Sequence, residues 1–170
     1  RIEKFYRRKD YKVIYPPVNT ERIIEFKTLP KKEEFFLTGC RMVASKNFDL
    51  VIKACQKAGV KLKIFGTGIE KKKLMGIAGK STEFLGQISD EELTSLYRKA
   101  KAFIVAQKDE DFGITLVEAM AGGTPVIAYR GGGYLETVLE NKTGVFFNEL
   151  TVESLEKAIK RFEKMKFNQE

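Results

Sequence analysis

From residue 35 onward, short apolar runs alternate with segments whose apolar residues recur at helical spacing. The runs predict strands at 35–38, 62–65, 83–85, 102–106, 125–128 and 144–146. Between and after them, helical periodicity predicts helices near 47–58, 70–78, 90–100, 115–121, 134–140 and 152–165. Local end signals agree: Ser89-x-x-Glu92 and Thr115-x-x-Glu118 have capping-box spacing, and Thr151 stands where an N-cap belongs. Strands of four or five apolar residues, each followed by an amphipathic helix, imply an α/β fold: a parallel sheet of about six strands with helices on both faces. Residues 1–30 break the pattern and read as an interdomain connection leading into a single domain at 31–170.

Composition narrows the class. A chain of 170 residues with 43% hydrophobic side chains builds one domain with a real core and is too short for two full lobes of this kind. No apolar run approaches the length of a membrane span, and the charged stretch 1–10 lacks the apolar centre of a signal peptide. Cys40 and Cys55 lack metal-ligand spacing and sit in apolar-periodic segments, which predicts buried, reduced thiols in a cytoplasmic protein. The net charge of +8 raises nucleic acid as a partner, but the cations are spread over helix faces, with clusters only at Arg7–Lys9 and Lys71–Lys73. No recognition helix, RNP-type segment or zinc finger accompanies them, so nucleic acid is not expected. The charge suits an anionic diphosphate, or an acceptor at an anionic membrane surface.

Candidate chemistry gathers after the strands. Motifs at Gly39, Gly66, Gly86, Glu110 and Gly131 all follow predicted strands, and in a parallel sheet the carboxyl ends of the strands form one ligand-binding edge. Glu110 and Glu118 flank a strand-to-helix turn in which Gly113 lets the backbone approach a ligand. The amides of Ile114 and Thr115, at the start of the helix, offer an anion site. Arg41 and Lys46 follow the first strand, where they read either as two surface cations or as charges that could neutralise a diphosphate. Gly66-x-Gly68 lacks the third glycine of a dinucleotide fingerprint, since Lys71 holds that place, and predicts only a turn that keeps the strand end clear. Asp109-Glu-Asp111 has the Asp-x-Asp form of a divalent-metal site, but it overlaps the start of the Glu110 motif.

Glu110-x7-Glu118 with Phe-Gly inside it, running on into Ala-Met-Ala-Gly-Gly-Thr-Pro-Val-Ile-Ala128, resembles the signature of retaining, nucleotide-sugar-dependent glycosyltransferases of family 4. The segments Val13–Val18, Gly39-Cys-Arg41 with Lys46-Asn47, Gly66-Thr-Gly68, Phe84-Leu-Gly86, the glycines 131–133 with Glu136, and Thr143-Gly144 follow the family pattern in order. The resemblance implies one Rossmann-like lobe of a GT-B fold, the donor-binding half of a two-lobe enzyme. It implies catalytic roles for Arg41, Lys46 and Glu110, the cations on the departing diphosphate and Glu110 on hydroxyls of the transferred sugar. Donor binding would fall to Gly39, Gly68, Ile88 beside the nucleobase, Gly113, Ile114 and Thr115 at the distal phosphate, and Glu118 on the ribose hydroxyls. No metal is expected, because this class uses cations and a helix terminus in its place.

The segment from Val126 to Val138 looks most like the mannosyltransferase branch, which implies GDP-mannose as donor, with UDP-glucose or a related donor and a non-catalytic nucleotide-sugar module as alternatives. The implied partners are an N-terminal acceptor-binding domain and a glycan or lipid-linked acceptor, with peripheral contact at the inner face of a membrane. Alone, this half is expected to bind donor and to transfer poorly or not at all. The chain departs from the family at Ala106-Gln107, where many members have Pro-Ser, which implies altered contacts near the sugar.

Overall fold

The computed structural model describes residues 2–25 and 30–167. Its sheet has six parallel strands: β1 (Phe36–Gly39), β2 (Leu62–Phe65), β3 (Thr82–Gly86), β4 (Ala102–Val105), β5 (Val126–Tyr129) and β6 (Gly144–Phe147). They lie in the order β3-β2-β1-β4-β5-β6, so the direction of winding reverses between β1 and β4. The helices are α1 (Ile2–Tyr6), α2 (Glu21–Ile24), α3 (Phe48–Ala58), α4 (Lys71–Ile77), α5 (Asp90–Lys99), α6 (Ile114–Ala121), α7 (Tyr134–Thr137) and α8 (Val152–Glu163), with a 3-10 turn η1 (Ala44–Lys46) before α3.

Consecutive strand residues point to opposite faces, and both faces are covered along β4, β5 and β6, which is why those strands are apolar; the edge strand β3 is only partly buried and carries Thr82 and Glu83. Phe36, Ile104, Ile127 and Val145 pack under α3, α4 and α8 with Ile52, Leu74 and Ile159. Leu37, Phe103, Val126 and Phe146 pack under α5 and α6 with Tyr97, Leu116 and Ala119. Ile23 of α2, 1% exposed, joins this second layer, so the segment that enters the domain is anchored in the core.

The predicted elements all appear, with ends shifted by a few residues. The capping box at α5 is complete: Glu92 N–H donates to Ser89 Oγ at 3.2 Å and Ser89 N–H to Glu92 Oε2 at 2.8 Å. Thr151 caps α8 by accepting from Ser154 N–H. The capping box expected at Thr115 and Glu118 does not form. Gly113, at φ +87°, is the N-cap, and no side chain caps the helix. The helix predicted over 134–140 is a single turn, because Val138 is extended and Asn141, in the left-handed region at φ +64°, starts the turn into β6. Both cysteines are free thiols; Cys55 is buried as expected, but Cys40 is only half-buried, because it belongs to the loop after β1 that borders the cleft described next. Burial pushes the Cys55 thiol up to about 12, so it stays protonated and inert.

Candidate functional site

Two neighbouring strands whose crossovers leave toward opposite faces open a crevice at their carboxyl ends. Here that crevice lies between the loops after β1 and β4. It is bordered by Gly39, Lys46, Gln107, Glu110, Thr115 and Tyr134, with Cys40 beside them. Side-chain bonds tie its two walls together. Thr38 Oγ1 donates to Ile104 O at 2.8 Å, and Asn47 Nδ2 donates to Ala106 O at 2.8 Å. Asn47 does so from the left-handed region, φ +53°, one of the few non-glycine side chains that adopts it at low cost.

Within the crevice the two charges singled out by spacing meet. Lys46 Nζ lies 2.8 Å from Glu110 Oε2, with the side chains 27% and 20% exposed. Sixty-four residues separate them, and only the β1–β4 adjacency joins them. The backbone of the Glu110 loop is held from beside by the triple glycine: Gly133 N–H donates to Glu110 O at 2.7 Å, and a side chain on Gly132 or Gly133 would collide with the Glu110 or Asp111 carbonyl. Arg41 is exposed at the rim. Its loop is seated by the β2 turn, where Met42 N–H donates to Thr67 O at 2.8 Å and a Cβ on Gly68 would strike the Met42 backbone. Gly68 thus acts by shaping the Arg41 loop, which sharpens the expectation of a simple turn.

The first helical bonds of α6 run from the Leu116 and Val117 amides to Gly113 O. The Ile114 and Thr115 amides therefore lie in the open first turn, where an anion is favoured. Tyr134 packs its ring against Gly113, where a Cβ would come within 2.8 Å of Cε1. Burial, then the Glu110 charge, raises the Tyr134 pKa, so the phenol stays protonated beside the carboxylate. The connection folds back over this corner: Tyr15 rests on Phe112 with ring centroids 5.6 Å apart, and its hydroxyl bonds to Glu136.

Glu118, one turn into α6, is buried. Its carboxylate is bonded to Arg22 of α2 and Tyr97 of α5. Ile88 lies beyond β3, half-buried against the second core layer and further along the same edge. The structure thus joins Lys46 and Glu110 directly, sets Gly39, Thr115 and the α6 terminus beside them, and places Arg41, Gly68 and Ile88 along the edge rather than in the cleft. Arg22, Tyr97 and Tyr134 were not singled out from the sequence. Tyr134 follows the triple glycine directly, a position that does mark it; Arg22 and Tyr97 carry no local signal. A roomier hollow of about 430 Å³ runs along the flank of α5, with Arg22 and Asp90 on its border. Among the described residues, no group of three or more His, Cys, Asp or Glu side chains is gathered as a metal would need, and no helix is long and apolar enough to cross a membrane.

The fold and this edge define a class: a Rossmann-like lobe of the GT-B kind. The lipopolysaccharide outer core galactosyltransferase WaaB superposes over 95% of this chain and 49% of its own, with TM-score 0.77 and 20% identity. HepE of Anabaena, solved with UDP and glucose, superposes over 78% of this chain and 39% of its own, with TM-score 0.70 and 22% identity. The family model "Glycosyl transferases group 1" matches residues 19–170, and the chain belongs to that family. An uncharacterized glycosyltransferase of Methanocaldococcus jannaschii is 35% identical over 107 residues, 61% of this chain and 30% of that protein. Mannosylfructose-phosphate synthase of Agrobacterium fabrum is 34% identical over 86 residues, 51% of this chain and 19% of that protein. The matched segments span less than a third of the length of these relatives.

Proposed function

We propose that this lobe holds the nucleotide-sugar donor of a family 4 retaining glycosyltransferase and presents its hexose to a glycan or lipid-linked acceptor. The observation that carries the reading is the meeting of Lys46 and Glu110 beside the open first turn of α6. The diphosphate lies against Lys46, Arg41 and the Ile114 and Thr115 amides, which together neutralise the charge that develops as the nucleoside diphosphate departs. Glu110 turns from Lys46 to hydroxyls of the transferred sugar. Toward β3, the ribose reaches Glu118 and the base reaches the backbone around Ile88. Four neighbouring strand ends span about 14 Å at the usual spacing, a length suited to an extended nucleotide sugar.

Donor binding is read as metal-free: Lys46, Arg41 and the first turn of α6 carry the diphosphate charge in place of a divalent ion, and the Asp-x-Asp stretch overlaps the Glu110 motif. A separate acceptor-binding lobe completes the enzyme, and this lobe alone transfers poorly; contact with an anionic membrane surface fits the net charge of +8. GDP-mannose is the donor the Val126–Val138 segment favours, and a mannosylfructose-phosphate synthase is among the relatives. A UDP-sugar is the competing donor, supported by fold neighbours solved with UDP. Calorimetric titration with GDP, UDP, ADP, GDP-mannose and UDP-glucose in EDTA tests the reading and names the base. Selective, metal-free binding of one diphosphate supports it; binding only after Mn²⁺ is added refutes the metal-free site, and no binding under either condition refutes a self-sufficient donor site.

A further inference from the structure

The Glu118 carboxylate is held on both oxygens by side chains from two other elements. Arg22 Nη2 donates to Oε1 at 2.9 Å, and Tyr97 Oη donates to Oε2 at 3.2 Å. Arg22 also pairs with Asp90 at the start of α5, so one guanidinium braces α5 against α6. Its placement follows from the core. Ile23, next in sequence, is sunk in the layer that contains Tyr97, Leu116 and Ala119, and this fixes α2 where Arg22 reaches Glu118.

Each carboxylate oxygen has two acceptor positions. Arg22 and Tyr97 take one on each oxygen, which leaves one on each, the number that a vicinal diol needs to donate two hydrogen bonds. The guanidinium also offsets the cost of burying a carboxylate whose side chain is only 11% exposed. Without it, the carboxylate would lose both its orientation and its charge compensation. We propose that Arg22, together with Tyr97, is a positioning residue that aims Glu118 at the two ribose hydroxyls of the nucleotide. This rests on the assignment of Glu118 to the ribose. It gives the segment before the sheet a part in nucleotide selection, through a residue 96 positions away from its partner.

The test compares ribose with dideoxyribose. GDP and 2′,3′-dideoxy-GDP, and UDP and 2′,3′-dideoxy-UDP, are titrated into the wild-type chain and the variants Arg22→Gln, Arg22→Lys, Tyr97→Phe and Glu118→Gln. Loss of the hydrogen bonds from both hydroxyls to the carboxylate predicts that the wild type prefers ribose by about tenfold or more. Arg22→Gln should cut that preference to about threefold or less while leaving dideoxynucleotide affinity unchanged, and Arg22→Lys should restore part of it. In a Glu118→Gln background, Arg22→Gln should remove nothing further. If Arg22→Gln weakens ribo- and dideoxynucleotides alike, or leaves the preference intact while Glu118→Gln abolishes it, Arg22 is only a brace and the proposal is wrong although the ribose assignment stands. If Glu118→Gln itself leaves the preference intact, or the wild type shows none, the ribose assignment fails and the proposal with it. Should Arg22→Gln not fold, Tyr97→Phe, which removes one hydroxyl, decides in its place: a retained preference overturns the positioning role.

Discussion

Replacing Lys46 with Met removes a charge at the centre of the cleft and keeps most of the side-chain volume. In the free protein it leaves Glu110 without the ammonium 2.8 Å away. The two side chains are about a quarter exposed, between the surface pairs that contribute up to about 1 kcal/mol and the buried pairs whose breakage costs about 3–5 kcal/mol. A loss of about 1–2 kcal/mol in unfolding free energy is the expected result. On binding, a charged hydrogen bond to phosphate is worth about 1.5–3 kcal/mol, and part of that is spent in drawing Lys46 away from Glu110. Net weakening of about 1–2 kcal/mol corresponds to about 5- to 30-fold in affinity for a nucleoside diphosphate.

The loss should be confined to the diphosphate. Calorimetry at fixed ionic strength, comparing nucleoside diphosphate with the matching monophosphate, reads this directly. Glu110→Gln should act with the opposite sign on the bare diphosphate, because it frees Lys46, while it removes the advantage that the attached sugar confers. Equal weakening of mono- and diphosphate by Lys46→Met, or weaker diphosphate binding by Glu110→Gln, would refute the idea that the two side chains compete for and share the donor.

Gly113→Ala places a Cβ at φ +87° and 2.8 Å from Tyr134, so it should destabilise the fold by about 1–3 kcal/mol and weaken diphosphate binding, as thermal unfolding and calorimetry would show. Ile23→Ala should cost about 2–5 kcal/mol in chemical denaturation, since Ile23 is 1% exposed; a neutral result would mean that α2 is not part of the folded lobe. Lys32 donates to Arg98 O and Thr124 Oγ1 from a half-buried position, and burial, then Arg98, lowers its pKa to about 8. Its folded pKa lies below its unfolded value, so the unfolded chain binds more protons between about pH 8 and 10.5, and stability should rise with pH across that window. Lys32→Met should lose that rise, measured as the difference between the two unfolding free energies at pH 7 and 9.5.

The sheet was legible in the sequence because both of its faces are buried. That burial demands apolar runs, and Ala102–Val105 and Val126–Tyr129 supply them. The edge that carries the site was legible for a related reason: glycines and charges directly after such runs have only the carboxyl ends of the strands to occupy. Capping at α6 was misread, because Thr115-x-x-Glu118 has the right spacing while the helix begins one residue earlier, where Gly113 alone accepts the left-handed backbone beside Tyr134. The partners of Glu118 were not legible at all. Arg22 and Tyr97 approach it from two other helices, at separations of 96 and 21 residues, and no local pattern encodes a contact made by helix packing.

The central claim is that a nucleoside diphosphate lies against the first turn of α6, between Lys46 and Glu118. Following backbone amide resonances during a metal-free titration with GDP, and in parallel with UDP, tests it most directly. One of the two should shift the amides of Gly113, Ile114 and Thr115 most strongly, with Lys46 and its neighbours following, and the response should survive 150 mM salt. Shifts concentrated instead at Lys71–Lys73 or Arg7–Lys9 and lost in that salt would contradict it, and would mark the binding as charge attraction at an exposed surface.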